Sequence, residues 1–217
     1  MIRFRNREEA GKLLAQRLED LRGDPRVVVL GVPRGGVVVA AEIARHLGAP
    51  LDVYITRKLG APGNPELAIG AVAEDGTLVL DDKAIYMLAI SDAYLERERE
   101  RQQEEIRRRA RIYRAGRPPI PLEGKRVVLV DDGVATGQTL EAAIRALRKQ
   151  PIAELILAVP VGPPSTIERL RKLVDRLEVL ATPEPFWAVG MFYDDFHQVT
   201  DEEVIRLLEE LRGTSTG

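Results

Sequence analysis

The chain has 217 residues, 45% of them hydrophobic, which fits one large α/β domain with at most a small appendage. Lys and Arg total 32 against 34 Asp and Glu, so bulk electrostatics give no argument for a nucleic-acid or membrane partner. Cysteine is absent and the only histidines are His46 and His197, which excludes disulfides, thiolate catalysis, Cys-ligated metals and a multi-histidine metal site within one chain.

The N-terminal stretch MIRFRNREEA is polar and lacks the apolar core of a signal peptide. No apolar run reaches the roughly 20 residues of a membrane helix, so a soluble cytoplasmic protein is expected. Over 7–22, Ala10, Leu13, Leu14, Leu18 and Leu21 recur at helical spacing and predict an amphipathic helix. Residues 26–31 predict a buried strand. The turn Val32-Pro33-Arg34-Gly35-Gly36 follows, and then an apolar helix from about Val37 to Leu47. Residues 51–56 read as the next strand. Residues 57–76 are rich in Gly and Pro and long for a connection, as lids and functional loops are. Residues 77–81 predict a short strand outside the main sheet.

Residues 92–114 alternate acids and arginines at i,i+3 and i,i+4 spacing, the pattern of a solvated, salt-bridged helix. Its interspersed glutamates argue against an arginine-rich RNA-binding helix. Pro118, Pro119 and Pro121 make a stiff connector into a strand over 125–131. A helix to about Lys149, a strand over 153–160, a helix over 164–175 and a strand over 177–181 come next. Residues 183–199 are aromatic-rich and irregular, and 201–212 predict a final amphipathic helix. Strands alternating with helices imply a mostly parallel sheet covered on both faces.

The most informative stretch is Val127 to Leu140, VVLVDDGVATGQTL. A buried strand runs into two carboxylates, and a small hydroxyl- and glycine-rich turn opens the next helix. This arrangement suits a sugar phosphate: carboxylates for ribose hydroxyls and hydrated Mg2+, backbone N–H groups for the phosphate. No lysine follows the glycine, so it is not a Walker A loop. Gly31 to Gly36 lacks the dinucleotide-binding spacing, and no G-x-S-x-G elbow of an α/β hydrolase occurs.

The motif resembles the signature of the type I phosphoribosyltransferases, which use 5-phosphoribosyl-1-pyrophosphate (PRPP). The resemblance extends over about 31–199. It implies the type I fold: an α/β, mostly parallel five-stranded core sheet flanked by helices, with a flexible lid loop and a small hood. The chain is then a single domain, 1–217, with its core at about 25–182, lid at 57–76, hood at about 183–199 and the C-terminal helix beyond. In this family Asp131 and Asp132 hold the ribose hydroxyls, directly or through Mg2+-bound water. Ala135, Thr136, Gly137, Gln138 and Thr139 hold the 5-phosphate. Arg34, Gly35 and Gly36 form the pyrophosphate loop, commonly with a cis peptide at Pro33–Arg34. Arg57 and Lys58 lie on the path of the leaving pyrophosphate. The hood resemblance implies that Trp187 and Val189 face the base and that Asp194 or Asp195 lies near the pyrophosphate and the metal. Ala135 stands where hypoxanthine-guanine enzymes carry an aspartate, while adenine- and uracil-type enzymes also carry alanine; the acid–base residue then comes from the lid, with Glu66 as a candidate, or the nucleophile needs none. The resemblance implies transfer of ribose 5-phosphate from PRPP to a nitrogen nucleophile, with Mg2+ as cofactor and PRPP and a small-molecule acceptor as partners. A homodimer is left open, as is the second reading, a PRPP-sensing regulator of the same fold without catalysis.

Overall fold

The computed structural model describes residues 2–213. Residues 1 and 214–217 of the expected single domain lie outside the described residues. The central sheet has five parallel strands: β1 (Val27–Gly31), β2 (Leu51–Val53), β6 (Arg126–Val130), β7 (Glu154–Val161) and β8 (Arg176–Ala181), in the order β2-β1-β6-β7-β8. These strands are runs of Val, Leu and Ile because both faces are buried. Val27, Val29, Val128, Val130, Ile156 and Ala158 turn to one side, while Val28, Leu30, Val127, Leu129, Leu155 and Leu157 turn to the other. The first side packs on α1 (Arg7–Arg17), α2 (Gly35–Leu47) and α7 (Asp201–Leu211). The second packs on α5 (Gln138–Arg148) and α6 (Pro164–Arg171). No described helix is long and apolar enough to cross a membrane.

Two segments depart from the sequence reading. Residues 57–76 are not an irregular loop. They are most of a β-hairpin, β3 (Thr56–Ala61) and β4 (Asn64–Ala73), extended by β5 (Leu78–Leu80) into a separate three-stranded antiparallel sheet. The glycines that suggested a loop serve close strand approach: a Cβ on Gly60 would lie 2.7 Å from Pro65 Cα, and one on Gly70 would lie 2.4 Å from the Val79 carbonyl. The predicted strand 51–56 is also split. Only Leu51–Val53 pairs with β1, and Thr56 already belongs to the hairpin.

A short helix, α3 (Asp82–Met87), was not legible in the sequence. The charged helix was: α4 spans Asp92–Arg114, capped by the Ser91 hydroxyl. It is only partly solvated, however. It packs on β3, β4 and α7, and it buries Glu98, Gln102 and Arg114. Buried Arg114 donates from Nε to Asp52 at 3.0 Å and from Nη2 to the Val53 carbonyl at 3.1 Å, fastening α4 to the edge strand β2. The hood, 183–199, is a loop with one 3-10 turn at Val189–Phe192, and the N-terminal arm lies along it. Phe4 N donates to the Phe192 carbonyl at 2.7 Å, and Asp194 N donates to the Phe4 carbonyl at 2.8 Å.

Candidate active site at the carboxyl ends of the strands

The site lies beyond the carboxyl ends of β1 and β6, where open α/β sheets place ligands. Asp131 and Asp132 follow β6 directly. The Asp132 amide donates to Asp131 Oδ1 at 2.8 Å. Arg7, at the start of α1, donates from Nε to Asp132 Oδ2 at 3.0 Å and from Nη1 to the His197 carbonyl at 2.8 Å. Tyr193 of the hood donates its hydroxyl to the Asp132 carbonyl at 2.7 Å. Burial, and after it the charge of Asp132, pushes the Asp131 carboxyl well above the usual carboxylate range. Burial also raises Asp132, against the pull of the Arg7 guanidinium. Two adjacent half-buried acids with one counter-cation favour a shared proton, or a second positive charge brought by a ligand.

Beyond the pair, residues 133–137 turn into α5. Gly137 has φ 82°, a left-handed conformation that glycine adopts without penalty, and it caps α5 with no side-chain hydrogen bond. The Thr166 hydroxyl of α6 donates to the Ala135 carbonyl at 2.8 Å, and Arg169 donates to the Thr136 carbonyl. With these acceptors taken, the turn offers its donors. No backbone acceptor among the described residues takes the amides of Ala135 to Thr139. Uncapped amides at a helix N-terminus form an anion site.

The 32–36 turn faces the acids. The Pro33–Arg34 bond is cis, as the resemblance implied. Glycine is required here by space. A Cβ on Gly35 would sit 2.1 Å from Asp132 Oδ2 and 2.7 Å from Arg7 Nε, and one on Gly36 would sit 2.9 Å from Asp131 Oδ1. The Arg34 guanidinium is 3.9 Å from Asp201.

A cleft of about 730 Å3 joins these parts. Its floor is the 32–35 turn, the acid pair and Thr139. One wall is the hairpin, through Thr56, Arg57, Lys58, Gly60, Pro65 and Glu66. The other is α4, through Glu98, Arg101, Gln102 and Arg109. Arg57 donates from Nε to Gln102 Oε1 at 3.0 Å, and Gln102 donates to Glu98 at 2.9 Å. Burial, with Arg109 next, lowers the proton affinity of Arg57, and none of the ion pairs among the described residues includes it. Such a cation is suited to a ligand's anion.

The structure thus gathers Asp131, Asp132, Arg34, Gly35, Thr139, Arg57, Lys58 and Glu66 around one cleft. It does not bring the expected hood residues there. Trp187 is 79% exposed and does not line the cleft, and Val189 packs against Gly133. Asp194 and Asp195, expected near the metal, are each engaged in an ion pair and do not line the cleft. Asp194 pairs with Arg3 at 2.5 Å and Asp195 with His197 at 3.0 Å. Among the described residues no three His, Asp or Glu side chains gather as a ligand cluster. The acid pair still fits Mg2+, which is commonly held by one or two carboxylates plus substrate phosphates rather than by an all-protein cage. The sequence reading missed Arg7, Tyr193 and the α4 wall, all remote in sequence from the motif. The only local signal was an arginine at the first position of a helix, where a cation opposes the dipole.

The profile of the phosphoribosyl transferase domain matches residues 5–196. A Mycobacterium tuberculosis protein provisionally named a phosphoribosyl transferase is 47% identical over 206 residues, covering 95% of this chain and 46% of that protein. The chain therefore spans about half the length of that curated relative. A crystal structure of the Thermus thermophilus protein TT1426 is 50% identical with a TM-score of 0.81, covering 98% of this chain and 100% of that one. A Geobacter sp. (strain M21) protein named bifunctional protein PyrR is 31% identical over 161 residues, 73% of this chain and 63% of that protein. With the parallel sheet, the acid pair and the donor turn in place, the chain belongs to the phosphoribosyl transferase domain family.

Proposed function

We propose that the chain transfers ribose 5-phosphate from PRPP to a nitrogen nucleophile, a nucleobase in the leading reading, and releases pyrophosphate in a Mg2+-dependent reaction. One observation carries this: a single cleft holds an acid pair, the Thr139 end of an uncapped donor turn and a cationic wall. That set matches the three parts of PRPP. The amides of Ala135, Thr136, Gly137, Gln138 and Thr139 take the 5-phosphate. Asp131 and Asp132 take the ribose hydroxyls and face the positive charge that builds up on the ribose. Arg34, Arg57 and Lys58 take the pyrophosphate, and Gly35 and Gly36 let the backbone approach it. Mg2+, held by the acid pair and the phosphates, would neutralise the departing charge. In the displacement the C1–O bond breaks, pyrophosphate leaves with its electron pair, and the C1–N bond forms. The nitrogen's proton needs an acceptor, and Ala135 supplies none. Glu66 of the hairpin is the titratable group of the cleft free for that role, since Glu98 is held by Arg101 and Gln102. Trp187 and Val189 are proposed to face the acceptor from the hood.

The test is pyrophosphate release from PRPP and Mg2+ with a panel of purine and pyrimidine bases. Release with one class establishes the transferase. Binding of PRPP with no release from any base favours the second reading, a PRPP-sensing regulator.

A further inference from the structure

We propose that Arg7 is a positioning residue that sets the Asp132 carboxylate and ties it to the hood, so that PRPP bound at the acid pair is felt at residues 186–197. This rests on the reading of the cleft as a PRPP site. Three contacts fix the Arg7 side chain, which is only 7% exposed. Its Nε donates to Asp132 Oδ2 at 3.0 Å. Its Nη1 donates to the His197 carbonyl at 2.8 Å. Its guanidinium carbon lies 4.1 Å from the centre of the Phe196 ring, within cation–π range. One rigid planar group therefore bridges an acid of the floor and two residues of the hood.

The placement is not explained by helix stability. Arg7 is the first residue of α1, where the helix dipole disfavours a cation, and the helix already has its cap in Asn6, whose Oδ1 accepts from the Glu9 amide at 2.9 Å. The arm before it is laid on the hood by three backbone bonds, from Phe4 N to Phe192 O, Asp194 N to Phe4 O and Asp195 N to Arg5 O. Those bonds hold the arm without help from Arg7. What the side chain adds is the link to Asp132, and it makes that link across Gly35, with Nε 2.7 Å from where a Cβ would be. The pyrophosphate turn, the second acid and the hood thus meet on one guanidinium. A lysine would keep the charge but could not hold Asp132 and the His197 carbonyl in one fork.

Arg7→Lys, Arg7→Met and the wild type should be compared by PRPP calorimetry in Mg2+, by Trp187 emission during the same titration and by thermal melting. The expected result is a loss of at least about tenfold in PRPP affinity in Arg7→Met, consistent with one lost charge-assisted contact. In Arg7→Lys most of that affinity should return, while the Trp187 response to PRPP seen in the wild type is lost. Phe196→Ala, which leaves the salt bridge, should bind PRPP as the wild type does and show a reduced Trp187 response. Equal PRPP affinity in a folded Arg7→Met protein overturns the proposal. So does a Trp187 response that is absent in the wild type or undiminished in Arg7→Lys. No PRPP binding by the wild type at all instead overturns the reading of the cleft, and this proposal with it.

Discussion

Replacing Asp131 by Asn should stabilise the ligand-free protein at neutral pH while abolishing PRPP binding. Asp131 and Asp132 are adjacent, half-buried, and share Arg7 as their counter-cation. Two like charges about 5 Å apart repel by roughly 3 kcal/mol at an effective dielectric of about 20, and Arg7 offsets part of this. Asparagine keeps the Oδ1 acceptor that the Asp132 amide uses, so no donor is orphaned. A net gain of about 1–2 kcal/mol follows, or roughly 2–8 °C in Tm for a domain of this size.

The pH dependence distinguishes this from any generic effect. The folded chain holds the Asp131 proton more tightly than the unfolded chain, because burial and Asp132 raise its pKa. Stability linked to this group is therefore complete below the unfolded carboxylate value near 3.8 and is lost as pH rises through the higher folded value. The Asn variant does not titrate, so its advantage should vanish in acid and grow through that window to a plateau. Melting curves across pH, with and without PRPP and Mg2+, measure both effects: ligand should raise the wild-type Tm and leave the variant unchanged. An equal gain at acid and neutral pH, or no gain at neutral pH, would refute the reasoning.

Gly35→Ala should abolish PRPP binding in calorimetry, because its Cβ would collide with Asp132 Oδ2 and Arg7 Nε; retained affinity would show that the turn can shift. Arg114→Met should cost about 3–5 kcal/mol in denaturant unfolding, since it strands the buried Asp52 carboxylate. Proteolytic cleavage in 57–76 should concentrate at the hairpin turn near Gly63 and slow when PRPP and Mg2+ are added, and equal rates with and without ligand would count against a lid. Trp187→Ala should raise the acceptor KM much more than the PRPP KM; unchanged acceptor kinetics would move the acceptor to the hairpin–α4 end of the cleft.

The core was legible because its signals are local. Continuous runs such as Val27–Leu30 and Val127–Val130 are short and rich in β-branched valine, which marks doubly buried strands, and the Asp131-to-Thr139 pattern places acids and donors by chain connectivity alone. The hairpin was misread because Gly60 and Gly70 act through space, against Pro65 and the β5 backbone, and a one-dimensional reading sees only breakers. The α4 wall was misread for a related reason. Its i,i+3 and i,i+4 pairs are real, as Arg108–Glu105 and Arg107–Glu104 show, but they lie on the solvated face. Glu98 and Gln102 repeat the same spacing on the face turned to the cleft. Arg7 lies 125 positions from its partner Asp132, so no spacing could have revealed it.

The hairpin and α4 together constrain how the cleft can close. Tyr94 of α4 donates its hydroxyl to the Gly60 carbonyl at 2.5 Å, and Gln102 holds Arg57. The base of β3 is therefore fixed to α4 on both sides of Lys58. Ladder register shifts at Leu59–Gly60 and Gly60–Ala61, and beyond them Gly63, Asn64 and Glu66 are exposed. Motion is then easiest at the tip, past the irregularity, where few contacts oppose it. Such a hinge would leave the Arg57 and Arg34 cations in place before the ligand arrives and carry Glu66 inward afterwards. On the proposed reading, preformed charges would give pyrophosphate its site without reorganisation. On the same reading, a hairpin tip that closes over the cleft with Glu66 once PRPP is bound would exclude water in the order that protects an activated ribosyl centre from hydrolysis.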